Sequence, residues 1–133
     1  MVCIHCGSET KVTNSRPQKR SNQVWRRREC LICHATFTTE ESAKYNAEWI
    51  VKTKAGSIQP FSRDKLFLSL YKSLEHRKNP QKDATALTDT IISKLSTAIK
   101  DSTINSHSIV QITQVALNRF DDAASVSYAA YHA

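Results

Sequence analysis

Apolar residues recur every three or four positions through the last two-thirds of the chain, whereas in the first third they alternate with polar ones over short stretches. The helical period is plain at Leu66, Leu70 and Leu74, preceded by Ser62 as a candidate N-cap and by Asp64 in the first turn, and stopped at Asn79-Pro80. Ala84, Leu87, Ile91, Ile92, Leu95, Ala98 and Ile99 predict a second helix, and after Ser106 the positions Ile109, Ile112, Val115, Ala116 and Phe120 predict a third. A weaker helix of small residues covers 123–131. Upstream, residues 48–53 and 57–61 predict a hairpin around Ala55-Gly56-Ser57, with Pro60 confining its second strand to a sheet edge. Nearer the N-terminus, residues 11–14, 23–26 and 35–39 predict three short strands. The fold class is therefore α+β, with a small three-stranded module over residues 1–46 and a mainly α-helical domain, opened by a β-hairpin, over 47–133.

So short a first module lacks the apolar material for a core of its own and needs a staple. Trp25 and Phe37 are its few sizeable apolar side chains, and they are expected to pack on each other as its core rather than to stack on bases. The staple is legible in the cysteines. All four in the chain fall into two Cys-x-x-Cys pairs, Cys3/Cys6 and Cys30/Cys33, a spacing that presents four thiolates to one tetrahedral Zn²⁺ and leaves no open position for a substrate. The module is accordingly a zinc ribbon with a structural metal. A disulfide framework is the alternative; it would require an oxidising compartment, and the N-terminal stretch has no apolar signal-peptide core. His5 and His34 adjoin ligand cysteines, but four thiolates already satisfy the metal.

Charge sharpens the picture. The formal net charge is +7, and four thiolates with one Zn²⁺ would leave about +5. Between the knuckles lie Lys11, Arg16, Lys19, Arg20, Arg26, Arg27 and Arg28 against only Glu9 and Glu29, a basic loop on a metal frame that suits a polyanionic partner. No apolar run approaches the roughly 20 residues that span a bilayer, so a soluble, cytoplasmic protein is expected, associated with the nucleoid when DNA-bound. No Ser/His/Asp arrangement or carboxylate pair is convincing by spacing, and no Gly-rich Walker loop is present, so no enzyme and no nucleotide hydrolysis are expected.

Taken in order, Cys3-x-x-Cys6-Gly7, Thr10-Lys11-Val12, Ser15-Arg16-Pro17, Arg26-Arg27-Arg28-Glu29-Cys30-x-x-Cys33 and Phe37-Thr38-Thr39 resemble the zinc ribbon of the bacterial NrdR-type repressors of ribonucleotide reductase genes. Val51-Lys52, Gly56, Pro60-Phe61-Ser62-Arg63-Asp64-Lys65-Leu66, Arg77 and Ser106-x-x-Ile109 leading to Leu117 and Asp121 resemble the ATP-cone that follows it in that family. The resemblance implies a repressor that binds a double-stranded DNA operator through the ribbon and ATP or dATP, as regulatory ligand, in the cone. Arg16, Arg26, Arg27 and Arg28, with Lys11, are the DNA-binding candidates, and because side chains alternate along a strand at most two of Arg26, Arg27 and Arg28 share a face. The resemblance places triphosphate contacts on Lys52, Lys54 and Lys65, apolar walls at Val51 and Phe61, and Gln59 where the family carries glutamate. Near the end, Ala124-Ser125-Val126-Ser127-Tyr128-Ala129-Ala130 departs from the family's aromatic-rich segment, lacking its first tyrosine and its arginine. A homo-oligomer is expected, since one ribbon buries too little surface for strong operator selectivity. The alternative function is a zinc-ribbon nucleic-acid-binding protein whose cone serves oligomerisation without nucleotide sensing.

Overall fold

The computed structural model describes residues 1–132, which form two compact units, one over Met1–Ala43 and one from Lys44 onward.

In the first unit β1 (Thr10–Gln18), β2 (Gln23–Cys30) and β3 (Thr36–Ser42) make an antiparallel sheet in the order β1-β2-β3. The strands run longer than their β-branched cores alone predict, because each added residue completes a ladder with its neighbour. Gly7 (φ +77°) and His34 (φ +60°) bend the chain past the two cysteine knuckles, and glycine takes that left-handed backbone without strain. The register of β1 against β2 slips between Val12 and Asn14, a β-bulge at Thr13. Beyond it the alternation of faces along β1 is inverted. Cys3, Cys30 and Phe37 form the buried centre, with Ala35 packed against it.

The expected pairing of Trp25 with Phe37 is incorrect. Phe37 lies opposite Arg28, whereas Trp25 lies opposite Arg16 on one side and Glu40 on the other and is 42% exposed. Directly opposed residues share a face and adjacent residues do not, so the two rings are on opposite sides of the sheet.

The second unit begins with a single turn, α1 (Tyr45–Glu48), and a three-stranded sheet of β4 (Ile50–Lys52), β5 (Ile58–Pro60) and β6 (Thr103–Asn105) in the order β5-β4-β6. Pro60 occupies an edge strand, as a residue without an N–H must. β4 is antiparallel to β5 but parallel to β6, which arrives only after two long helices. These are α2 (Arg63–Leu74) and α3 (Pro80–Ala98); α4 (Ser106–Phe120) and α5 (Asp122–Tyr131) complete the unit. The Ser62 hydroxyl accepts the Lys65 N–H at 3.2 Å and caps α2, and Pro80 opens α3 where its missing N–H costs nothing. Leu70, Leu74, Ile91, Leu95 and Leu117 are fully buried at the helical period read from the sequence. Tyr128 of α5 is 2% exposed, so the small-residue helix contributes one large core ring. Trp49 packs on Tyr45 at 4.4 Å and on Phe61 at 5.4 Å between ring centroids, pinning the turn of α1 to the hairpin.

Candidate metal centre, nucleic-acid face and nucleotide pocket

The two knuckles bring four sulfurs to one point. The Sγ atoms of Cys3, Cys6, Cys30 and Cys33 all lie within 4.8 Å of one another, with Cys3–Cys33 at 3.7 Å and Cys6–Cys30 at 3.5 Å. A tetrahedral ion with Zn–S bonds of about 2.3 Å separates its sulfurs by about 3.8 Å, so the donor set fits zinc. The same separations are far beyond an S–S bond of about 2.05 Å, and all four cysteines are free, which removes the disulfide alternative. Backbone N–H groups of His5 (3.3 Å), Ile32 and Cys33 (both 3.4 Å) aim at Cys3 and Cys30, hydrogen bonds that stabilise thiolate sulfur. The electrostatics of the bare thiols divide them. Ser8, through its hydroxyl and backbone, draws the Cys6 thiol down to about 6. Ala35 pulls Cys33 in the same direction, but the crowding of Cys30, Cys6 and Cys3, with burial, pushes it up to about 12. Four thiolates this close need a cation among them. His34 is turned to Glu29 at 3.7 Å and stands outside the sulfur cluster.

The metal-framed sheet has two dissimilar faces. Arg26 and Arg28 lie on the face that holds Phe37 and are half-buried; Arg26 donates to Ser15 at 2.9 Å and lies 3.6 Å from Glu41, and Arg28 donates to Thr39 at 3.3 Å. The opposite face is open. Its cross-strand rows are Arg16–Trp25–Glu40, Asn14–Arg27–Thr38 and Lys11–Glu29–Thr36. Lys11 and Arg16 would point to opposite sides of a regular strand, and the bulge at Thr13 is what sets both on this face. Arg27 donates to Thr38 at 3.1 Å and to Thr36 at 2.7 Å, which holds its guanidinium against the sheet. The register thus sets Lys11, Arg16 and Arg27 on one face of the sheet and Arg26 and Arg28 on the other, although Arg26 still reaches the edge of the depression around Trp25. Trp25, missed as a surface residue because a small module has few other rings to bury, lies beside Arg16 at the edge of the group.

In the second unit the sequence candidates also divide. Val51, Gln59, Phe61 and Lys65 line one cavity of about 220 Å³, together with Ser106 and Tyr128. Val51 comes from β4, Gln59 from β5, and Lys65 from the first turn of α2, whose N-terminus opens beside the cavity at Ser62. Lys65 Nζ donates to Gln59 Oε1 at 3.3 Å, so its ammonium meets a neutral amide rather than a carboxylate. Lys52 alternates away from Val51 on β4, and Lys54 sits in the turn beyond; neither lines the cavity. Ser106, at the start of α4, and His132, stacked on Tyr128 at 4.0 Å, were not legible as cavity residues, since only the long-range pairing of β6 with β4 brings that end of the chain here.

Residues 1–41 match the family model described as "Transcriptional repressor NrdR-like, N-terminal domain". Over nearly the whole chain the similarity extends to proteins named "Transcriptional repressor NrdR": 38% identity to that of Methylacidiphilum infernorum, covering 99% of this chain and 79% of that protein, and 36% to that of Symbiobacterium thermophilum, covering 99% and 87%. The chain belongs to the NrdR family of transcriptional repressors. As a family member it is a zinc-dependent, DNA-binding regulator and not an enzyme, and the four-cysteine cluster is the metal centre of its ribbon. No helix among the described residues is long and apolar enough to cross a membrane.

Proposed function

We propose that this family member represses ribonucleotide reductase genes in response to ATP or dATP, reading its operator with the open face of the ribbon and the nucleotide in the cavity between β4, β5 and α2. Zinc, when bound, serves only to hold the two knuckles together. Lys11, Arg16 and Arg27 then meet the phosphates and base edges, while Arg26 and Arg28, engaged with Ser15, Glu41 and Thr39, brace the sheet.

The observation that carries the nucleotide half is the convergence of Val51, Gln59, Phe61 and Lys65 on one cavity from three separate elements. At about 220 Å³ the cavity is smaller than the roughly 300–1,000 Å³ of an ordinary ligand pocket. The base and ribose therefore enter, and the triphosphate lies at the rim, where Lys65 and the N–H groups at the start of α2 face it. A homo-oligomer whose packing changes with the bound nucleotide would alter the placement of paired ribbons and so the operator affinity.

A second function is favoured by the small cavity and by the placement of Lys52 and Lys54 outside it: a zinc-ribbon DNA-binding protein whose second unit only oligomerises. Retardation of a promoter duplex by zinc-loaded protein with ATP, with dATP and with neither separates the two. Different affinities in the three lanes support sensing; equal affinities, with no thermal shift at millimolar nucleotide, leave the second function standing.

A further inference from the structure

The ribbon is poor in apolar material, yet its largest side chain lies outside its core. Cys3, Cys30, Phe37 and Ala35 close the buried centre without Trp25, which is 42% exposed on the opposite face. A single exposed apolar residue is ordinary on a protein surface. What distinguishes this one is its setting. Arg16 is its cross-strand neighbour on β1, and Arg27 is the next residue on the same face of β2. Trp25, Arg16 and Arg27 line one shallow depression of about 200 Å³ with Asn14, Arg26 and Thr38. On the other side Trp25 faces Glu40, a carboxylate that repels phosphate. The cationic track of the face therefore runs along β1 through Lys11 and Arg16, and the indole stands at its border, where a duplex lying on those cations presents its sugars and base edges.

We infer that Trp25 is a DNA-contacting residue whose indole packs on deoxyribose and base edges of the duplex, supplying the part of the affinity that salt does not remove. The inference rests on the open face being the one that meets DNA. Arginine and lysine contacts to phosphate release counterions and weaken as salt rises, by a slope of roughly one per contact. An aromatic contact releases none, so it contributes equally at low and high salt. Exposed aromatic rings beside guanidinium groups suit this work, since they present a large rigid surface with few torsions to freeze.

The experiment uses the full zinc-loaded chain carrying Trp49→Phe, which leaves Trp25 as the only indole. The probes are a promoter duplex, a mixed-sequence duplex and the separated single strands. Addition of duplex is expected to quench the indole fluorescence. Trp25→Ala should weaken duplex binding on the order of tenfold at every salt concentration, with the slope of log K against log salt unchanged, whereas Arg27→Ala should reduce that slope by about one. Trp25→Phe should recover most of the loss and guards against a folding defect in the alanine variant. Zinc content, melting temperature and molecular mass should not move. Wild-type affinity in Trp25→Ala overturns the inference, as does loss of zinc, a change of oligomeric mass that marks a contact between copies, or tighter binding to single strands than to duplex. If Arg27→Ala and Arg16→Ala also leave binding intact, the open face itself is not the DNA surface; if the arginines matter and Trp25 does not, only the inference fails.

Discussion

Arg77 Nη1 donates to Asp121 Oδ2 at 2.8 Å, joining two residues that lie 44 positions apart and fixing the turn after α2 to the junction of α4 and α5. The same guanidinium donates through Nε to Asp83 at 2.7 Å and lies over the Phe120 ring at 4.4 Å. Asp121 also accepts the Ala124 N–H at 2.9 Å as the cap of α5, and His76 lies 3.0 Å from its other contacts' oxygen, Oδ2. The Ala124 N–H first, then Arg77 and His76, hold its carboxyl well below the ordinary value of 3.8.

Asp121→Ala removes a helix cap and a charged partner together, and should cost about 1–3 kcal/mol of stability at neutral pH. Because the folded carboxyl ionises below its unfolded value, its contribution is complete above about pH 4 and fades as pH falls through the folded value. Chemical denaturation followed by Trp49 fluorescence in a Trp25→Phe background should show the difference between parent and variant shrinking below pH 4. A constant difference down to pH 2 would contradict the assignment.

Zinc content should be one ion per chain, and Cys30→Ser or strong chelation should abolish it, since three thiolates do not close the site. Cys30 is fully buried at the centre of the ribbon, so the ribbon should unfold with the metal. Helical circular dichroism, which arises from the other unit, should persist. Retention of DNA binding after complete chelation would refute a structural role for the metal.

Arg16→Ala and Arg27→Ala should each weaken promoter binding by more than Arg26→Ala or Arg28→Ala, and only the first pair should lower the salt slope by about one per residue. Gel retardation across a salt series measures both quantities. The reverse ranking would place DNA on the Phe37 face.

Lys65→Gln should weaken ATP and dATP binding about tenfold or more, the effect of losing one charged phosphate contact, while Lys52→Gln and Lys54→Gln should have smaller effects. Nucleotide at 100 times its dissociation constant adds about 2.7 kcal/mol to a protein that binds it only when folded, a shift visible in a melting curve. Equal losses at all three lysines would return the phosphates to the hairpin turn.

The helices were legible because their apolar residues keep the 3.6 period on their own: Leu66, Leu70 and Leu74 needed no distant information. The sulfur cluster was legible for the same reason, as spacing within each pair fixes a knuckle. β6 was not, since a three-residue strand at Thr103–Asn105 carries no periodic signal and exists only through its pairing with β4. Trp25 was misplaced because its face depends on the register of β2 against both neighbours, and hydrophobicity alone argued for the core. The bulge at Thr13 is invisible in composition, yet it decides which basic residues stand together.

The parallel seam between β4 and β6 has a consequence for how the cavity comes into being. Val51 on β4 and Ser106 just past β6 both line the cavity, and the seam joins strands that two long helices separate in sequence. Closing so distant a contact is slow and comes at an entropic cost that only the finished core offsets. The cavity is thus expected to be among the last features to mature on the folding route, and any ligand that prefers it would act as a clasp on the completed fold.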